Sequence, residues 1–166
     1  MLVSASFRVG LGYDFHRLAA GRPLRLGGVS IPFDRGLIGH SDADVVLHAI
    51  TDAILGAAGL PDIGELFPDT DLDYKGADSA GLLANAIQRI ADQGWTVGNL
   101  DVIVHAEAPK LSAQKRAMAE SIARMVRVSA DCVSVKAKTN EGLGPIGKGK
   151  AVACSAVVLL TRTGQA

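Results

Sequence analysis

The sequence predicts an α+β fold, a two-layer sandwich in which three helices cover one face of a mixed sheet of about four main strands plus a small hairpin. The elements follow the order strand, hairpin, helix, loop, helix, strand, helix, strand, strand, which one sheet with helices on a single side accommodates best. Only 4% of the residues are aromatic, so we expect a core of Ala, Val, Leu and Ile. With 166 residues the chain has the length of one domain, which we place over 1–166.

The first part of the chain predicts a strand, a hairpin and a helix. Residues 7–13 alternate larger and smaller side chains, as in a strand whose glycines pack closely. Residues 24–33 predict two short strands about a pair of glycines. A helix then runs to about residue 58, because Gly59 is a typical helix stop.

The second part begins with a long acidic loop over 62–73, in which Phe67 and Pro68 indicate an anchored, ordered segment. Asp78 and Ser79 then cap a second helix. The remaining elements are helices over 78–93 and 111–128 and strands over 97–106, 132–137 and 152–160. Because the last strand is strongly apolar, we expect other copies of the chain to cover the open face of the sheet.

Composition excludes several classes of function. Lys plus Arg and Asp plus Glu both number 17, without runs of like charge, so we expect neither nucleic acid nor an anionic membrane as a partner. No apolar run is long enough to span a bilayer, and the start of the chain does not resemble a signal peptide. Cys132 and Cys154 lack metal-binding spacing, which favours reduced thiols. We therefore predict a soluble protein that stays where it is made. Without a transit segment, a bacterial cytoplasm is favoured over a plastid.

A stripe of polar residues follows one face of the first predicted helix. Asp44, His48 and Asp52 are spaced four apart and so share that face. Ser41, three residues before Asp44, resembles the first residue of a capping box. We assign Asp44 and Asp52 to helix capping or to support of His48. On this stripe alone, a packed or solvated histidine is the alternative to a functional one.

A second polar pair follows the first predicted strand. Asp14 and His16 lie two residues apart, so in an extended segment both side chains point the same way. Together with His48 they make a ligand set suited to Zn²⁺ or Mn²⁺, with a fourth position open to a substrate oxygen. A hydrogen-bonded Asp-His pair at a turn explains the two residues equally well.

The glycine-rich segment 141–150 resembles a phosphate cradle in composition but lacks the spacing of a P-loop. Glu141 offers a hard oxygen ligand, and two lysines lie nearby. These features favour a Mg²⁺-diphosphate site. A simple turn is the alternative.

Five motifs occur in order at 12–16, 40–48, 62–71, 106–110 and 139–144. Together they resemble the 2-C-methyl-D-erythritol 2,4-cyclodiphosphate synthase family. The resemblance implies a homotrimer with active sites between subunits. It also implies a phosphorus-oxygen lyase of the non-mevalonate isoprenoid pathway. Such an enzyme converts 4-diphosphocytidyl-2-C-methyl-D-erythritol 2-phosphate into the cyclic diphosphate and releases CMP.

The resemblance also implies metal and catalytic roles by position. A zinc-like ion, Zn²⁺ or Mn²⁺, would be bound by three residues: Asp14, His16 and His48. Glu141 would bind Mg²⁺ or Mn²⁺ with the diphosphate. His40 and Thr139 would stabilise the transition state.

Two further groups of residues would hold the substrate. The erythritol part and its phosphate would contact Ser41, Asp62, Ile63, Gly64, Phe67, Pro68, Asp69, Thr70 and Asp71. The cytidine and its phosphates would contact Ala106, Ala108, Pro109, Lys110, Leu111, Ser112, Lys138, Thr139, Asn140, Glu141 and Lys148. In the family, most of this second group comes from the neighbouring subunit, and Lys148 stands where an arginine is frequent.

Two other functions share parts of this pattern. A zinc-dependent phosphate-ester hydrolase would use the same ligands to activate water. A non-catalytic nucleotide-binding assembly protein would bind the nucleotide without turnover. A cyclic product would distinguish the synthase from the hydrolase and from the assembly protein.

Overall fold

The computed structural model describes residues 6–39, 41–68 and 78–164. Its strands are β1 (Phe7–Ala20), β2 (Leu24–Leu26), β3 (Val29–Ile31), β4 (Arg35–Leu37), β5 (Trp95–His105), β6 (Val133–Lys138) and β7 (Ala151–Arg162). Its helices are α1 (Val45–Ala58), α2 (Ile63–Leu66), α3 (Ser79–Asp92), α4 (Lys115–Val126) and α5 (Gly144–Gly147), and a short 3-10 turn covers Ala130–Cys132.

Five of the strands form one mixed sheet in the order β4-β1-β7-β5-β6, and β2 and β3 form a separate hairpin. Strand β7 is antiparallel to both β1 and β5, whereas β6 is parallel to β5. Strands β1, β5 and β6 therefore run in the same direction and end at the same edge of the sheet. In the register of this edge, His16 pairs with Val152 and His105 pairs with Ala153.

The three long helices cover one face of the sheet, which confirms the predicted α+β sandwich. Helix α1 packs on β1 and β7, α3 packs on α1 and β5, and α4 packs on β6. Apolar side chains of all three helices are buried against the strands. Among the helices of the described segments, none combines the length and apolar character needed to cross a lipid bilayer.

Three short elements were not predicted, and β1 is longer than expected. Strand β4 has three residues, and helices α2 and α5 have four each, too few to show an apolar period. Strand β1 continues to Ala20 instead of ending at residue 13. Its second half alternates partly buried and exposed residues, and the polar Asp14 and His16 hide this alternation in the sequence.

Helix α1 lies directly on the backbone of β1 because two glycines face it. A Cβ atom added to Gly10 would come within 1.9 Å of the Ala53 carbonyl oxygen. One added to Gly12 would come equally close to the Ala49 carbonyl oxygen. Real Cβ atoms do not approach an oxygen this closely, so only glycine allows this contact.

The opposite face of the sheet is apolar and exposed. The side chains of β1 that alternate with its glycines point to this side, and a residue of β7 extends the patch. Their exposed fractions lie between 39% and 72% for Phe7, Val9, Leu11, Tyr13, Phe15 and Val157. We call these six residues the open-face patch. The six side chains are neighbours on one face, because alternate residues of β1 share it and Leu11 pairs with Val157, so they are not scattered surface residues.

The carboxylate of Asp44 fixes the start of α1. It is fully buried and accepts hydrogen bonds from the amides of Val46 and Leu47, at 3.1 and 3.2 Å. It also accepts the amides of Gly27 and Gly28 in the hairpin turn, at 2.9 and 2.7 Å. Burial raises the pKa of Asp44, and the Gly28 and Gly27 hydrogen bonds oppose that rise.

The capping-box prediction was wrong about which residue caps the helix. The N-cap is Asp44, which confirms its assignment to helix capping, and not Ser41, as the capping box implied. The reason is tertiary, because the acceptor at this position must also satisfy the hairpin amides. Ser41 is directed instead towards His48, with 3.1 Å between Ser41 Oγ and His48 Nε2.

Gly10→Ala should lower the free energy of unfolding by about 3 kcal/mol, since its methyl group overpacks the β1–α1 contact. The matched control is Gly56→Ala in α1, where an added Cβ meets no atom within 4 Å. The control should raise stability by about 0.5–1 kcal/mol through helix propensity. Urea unfolding at one protein concentration measures both. Equal stabilities would contradict the close approach.

Candidate functional site

Asp14, His16 and His48 meet where the second half of β1 passes under the first turns of α1. Asp14 Oδ2 lies 3.0 Å from His16 Nε2 and 2.9 Å from His48 Nδ1. The two imidazole nitrogens are 3.2 Å apart, and the rings meet edge to face at 69°. The prediction that these three side chains converge is therefore confirmed.

This group of three, the metal triangle, has the donor chemistry of a divalent ion site. Ligand atoms at about 2.0–2.2 Å from a tetrahedral ion lie about 3.3–3.6 Å from one another. The observed distances of 2.9–3.2 Å are close to that spacing. The side chains are 13–24% exposed, so the triangle is shielded yet open on one side. The three residues could thus hold a metal ion.

The electrostatics of Asp14 suit such a role. Partial burial favours the neutral carboxyl, but hydrogen bonds with His16 and His48 outweigh it and hold the pKa of Asp14 well below its usual range. A carboxyl group must lose its proton to bind a metal. Asp14 is therefore ionised at neutral pH and available as a ligand.

The far side of the His48 ring contacts Ser79, which sequence reasoning did not assign to the site. His48 Nε2 lies 2.9 Å from the hydroxyl oxygen of Ser79, which is fully buried. The Ser79 hydroxyl donates in turn to Asp42 Oδ1. In the sequence Ser79 indicates only a helix start, and nothing there shows that α3 begins beside α1.

Helix α2 is attached to α1 by Asp52, whose Oδ1 accepts the Ile63 amide at 2.8 Å. Asp62 caps the helix by accepting the Glu65 amide at 2.9 Å. Five predicted substrate residues lie on or beside this turn: Asp62, Ile63, Gly64, Phe67 and Pro68. Phe67 is buried, as an anchor should be. Four other predicted residues lie outside the described part of the chain: His40, Asp69, Thr70 and Asp71.

A cavity of about 170 Å³ opens at the ends of β5 and β6. Seven predicted nucleotide residues line it: Ala106, Pro109, Lys110, Leu111, Ser112, Lys138 and Thr139. The other four are absent from its lining: Ala108, Asn140, Glu141 and Lys148. Glu107, which belongs to the 106–110 motif, ties the two loops together because its Oε2 accepts the Asn140 amide at 3.2 Å.

Glu141 and Thr139 contact each other at the edge of this cavity. Thr139 Oγ1 donates to Glu141 Oε1 at 2.5 Å. Glu141 has a φ of +49°, a left-handed conformation that is uncommon outside glycine. Within one chain Glu141 is not part of the metal triangle, so its predicted metal role stays a prediction. Lys148 is exposed and ends α5, with its amide bonded to the Gly144 carbonyl.

Similarity to known proteins covers nearly the whole chain. The model of the YgbB family matches residues 7–161. The 2-C-methyl-D-erythritol 2,4-cyclodiphosphate synthase of Bordetella petrii is 54% identical over 160 residues, which cover 96% of this chain and 99% of that protein.

Two solved structures extend the comparison to the fold. The bifunctional IspDF of Campylobacter jejuni matches with a TM-score of 0.90 and 44% identity, covering 94% of this chain and 42% of that one. The complex of Plasmodium falciparum IspF with CDP matches with a TM-score of 0.85 and 37% identity, covering 97% and 100%.

Asp14→Asn should weaken zinc binding by about 100-fold or more, because a neutral amide oxygen replaces the one charged ligand of the triangle. Competition with a chromophoric chelator measures the zinc affinity of the metal-stripped chain. Asp34→Asn is the matched control, since this carboxylate is 80% exposed and pairs with Arg35. If Asp14→Asn bound zinc as tightly as the control, the triangle would not be the metal site.

Proposed function

The chain belongs to the YgbB family, and on this premise we propose that it catalyses the cyclisation for which the 2-C-methyl-D-erythritol 2,4-cyclodiphosphate synthases are named. The substrate is 4-diphosphocytidyl-2-C-methyl-D-erythritol 2-phosphate, and the products are the cyclic diphosphate and CMP. The observation that carries the proposal is the convergence of Asp14, His16 and His48 in a chain so similar to these enzymes.

The bond changes define a phosphorus-oxygen lyase. An oxygen of the 2-phosphate forms a bond to the β-phosphorus of the diphosphate. The bond between that phosphorus and the bridging oxygen breaks, and CMP departs with the electron pair. The attacking phosphate is already largely ionised at neutral pH, so the reaction needs no strong general base. A nucleophilic triad is accordingly not required.

The chain's main task is to hold two anionic groups together. A divalent ion in the metal triangle supplies positive charge and polarises a phosphoryl oxygen when bound. Asp14, His16 and His48 fix the position of that charge between β1 and α1. Helix α2, which Asp62 caps, is attached to the same helix α1 by the hydrogen bond from the Ile63 amide to Asp52. Holding the 2-phosphate and the diphosphate in a fixed geometry lowers the entropic part of the barrier to ring closure.

We assign the metal triangle to Zn²⁺ or Mn²⁺, because one carboxylate and two imidazoles are borderline ligands. Glu141 is assigned to Mg²⁺ or Mn²⁺ with the diphosphate, because carboxylate oxygens suit hard cations. Thr139, bonded to Glu141, and His40 are assigned to transition-state stabilisation. Ser41 and the predicted substrate residues at 62–64 and 67–71 are assigned to the erythritol part and its phosphate.

The active form is proposed to be a homotrimer in which each site combines two chains. The open-face patch supports association, because an exposed apolar surface of this kind favours burial against other copies. The sheet order supports a divided site. Strand β1 carries the metal ligands, whereas the nucleotide cavity lies at the ends of β5 and β6, and β7 stands between them, so we infer that the metal triangle of one chain works with the cavity of another. A CDP ligand bound to the Plasmodium falciparum relative supports a cytidine diphosphate moiety as the nucleotide.

Two further parts of the proposal concern the whole chain. The family model covers 7–161, which supports one domain over 1–166. Cys132 and Cys154 are both unpaired, which supports residence in the reducing bacterial cytoplasm. Neither nucleic acid nor a membrane is part of the proposed function.

Purified protein with substrate and divalent metal should release CMP and yield a cyclic product, identified by mass spectrometry. Asp14→Asn and His48→Ala should each lower kcat/KM by about 100-fold or more, because they remove a metal ligand. Asp34→Asn should retain full activity. A product that has gained one water would indicate the hydrolase, and nucleotide binding without CMP release would indicate the assembly protein.

Mixing two inactive variants tests the divided site. Asp14→Asn damages the metal half and Glu141→Gln the nucleotide half, so random co-assembly should leave about a quarter of the sites with both halves intact. Co-expressed chains should therefore regain a corresponding share of CMP release. The matched pair Asp14→Asn with His48→Ala carries both defects in one half and should regain none. Equal activities of the two mixtures would contradict a site shared between chains.

A further inference from the structure

We propose that Ser79 and Asp42 form a hydrogen-bonded relay that selects the tautomer of His48 and so positions this histidine as a metal ligand. The inference rests on the proposed metal site and goes beyond it. Both are positioning residues, because they act through His48. Neither belongs to the residues assigned above to metal, substrate or nucleotide.

The relay consists of two consecutive hydrogen bonds. Ser79 Oγ lies 2.9 Å from His48 Nε2, and the same hydroxyl donates to Asp42 Oδ1. The Ser79 amide also donates to Asp42 Oδ1, at 3.3 Å. Arg25 Nε lies 3.8 Å from Asp42 Oδ2, so a positive charge stands beside the far end of the relay.

The donor and acceptor roles follow from the chemistry of a hydroxyl group. Ser79 has one hydroxyl proton, and it is given to the carboxylate of Asp42, which only accepts. The Ser79 oxygen must then accept from the ring, so His48 carries a proton on Nε2. The lone pair of a neutral His48 is thereby placed on Nδ1.

Nδ1 is the nitrogen that faces the metal triangle, 2.9 Å from Asp14 Oδ2 and 3.2 Å from His16 Nε2. With its lone pair directed there, Nδ1 and the Asp14 carboxylate present two acceptors to each other, which a cation between them satisfies. The relay thus leaves the Nδ1 lone pair free to bind a metal ion.

Ser41 is the other hydroxyl near Nε2, at 3.1 Å, and it is a weaker candidate for the role. Its oxygen accepts the Ala43 amide at 3.0 Å and is only partly buried. Ser79 is fully buried and is the first residue of a 14-residue helix, so its position is better fixed.

The test titrates the metal-stripped full-length chain with zinc alone, in competition with a chromophoric chelator. Ser79→Ala and Asp42→Ala should weaken zinc binding by about 10–100-fold. Asp42→Asn should stay closer to the unsubstituted chain, because an amide oxygen still accepts the Ser79 hydroxyl. Thr51→Val is the matched control, since it removes a buried hydroxyl of α1 that donates to the Leu47 carbonyl.

A spectroscopic readout separates positioning from general loss of structure. Long-range ¹H–¹⁵N correlation of the zinc-loaded chain should show the His48 proton on Nε2, and Ser79→Ala should change the nitrogen shifts of that ring while Thr51→Val should not. Circular dichroism during heating reports whether each variant is folded. If Ser79→Ala does not fold, the relay is tested by the difference in zinc affinity between Asp42→Ala and Asp42→Asn.

Three results have distinct meanings. Failure of the unsubstituted chain to bind zinc would overturn the metal site of the proposed function. Normal zinc binding by the unsubstituted chain, Ser79→Ala and Asp42→Ala alike would overturn the relay and leave the proposed function intact. A His48 proton on Nδ1 in the zinc-loaded chain would also overturn the relay.

Discussion

The close contact between the backbones of β1 and α1 is the constraint on which the metal triangle depends. Gly10 and Gly12 remove the side chains that would otherwise hold the helix away from the strand. Asp14 and His16 follow the two glycines at the same two-residue spacing, so their side chains lie on the same face of β1 and point towards α1. One packing requirement in the core therefore also sets the ligand distances of the site.

Strand β1 serves two surfaces at once. Its helix-side positions carry glycines and then metal ligands, while its other positions carry the open-face patch. A shift of register by one residue would place the ligands in the patch and the aromatic side chains under the helix. Long pairing with β7, from Phe7 to Arg17, holds this register. The proposed assembly surface and the proposed metal site thus depend on the same strand pairing.

Periodicity was enough to predict the parts of the site that lie on regular elements. The two-residue spacing of Asp14 and His16 and the place of His48 in a helix were readable from the sequence. The packing of three helices on one sheet face followed from the order of the elements and their apolar spacing. The role of Ser79 and Asp42 was not readable, because it depends on where α3 begins relative to α1. The cap moved from Ser41 to Asp44 for a similar reason, since a hairpin distant in sequence supplies half of the donors.

The bonds from Gly27 and Gly28 to Asp44 also close a loop. They join residues 16 and 17 positions apart, so the chain from the hairpin to the start of α1 is tied at both ends. Closing a loop of this length confines its ends at a modest entropic cost. The tied segment includes Ser41 and Asp42, so the hairpin and the first turn of α1 together limit how far these two residues can move away from His48 and Ser79.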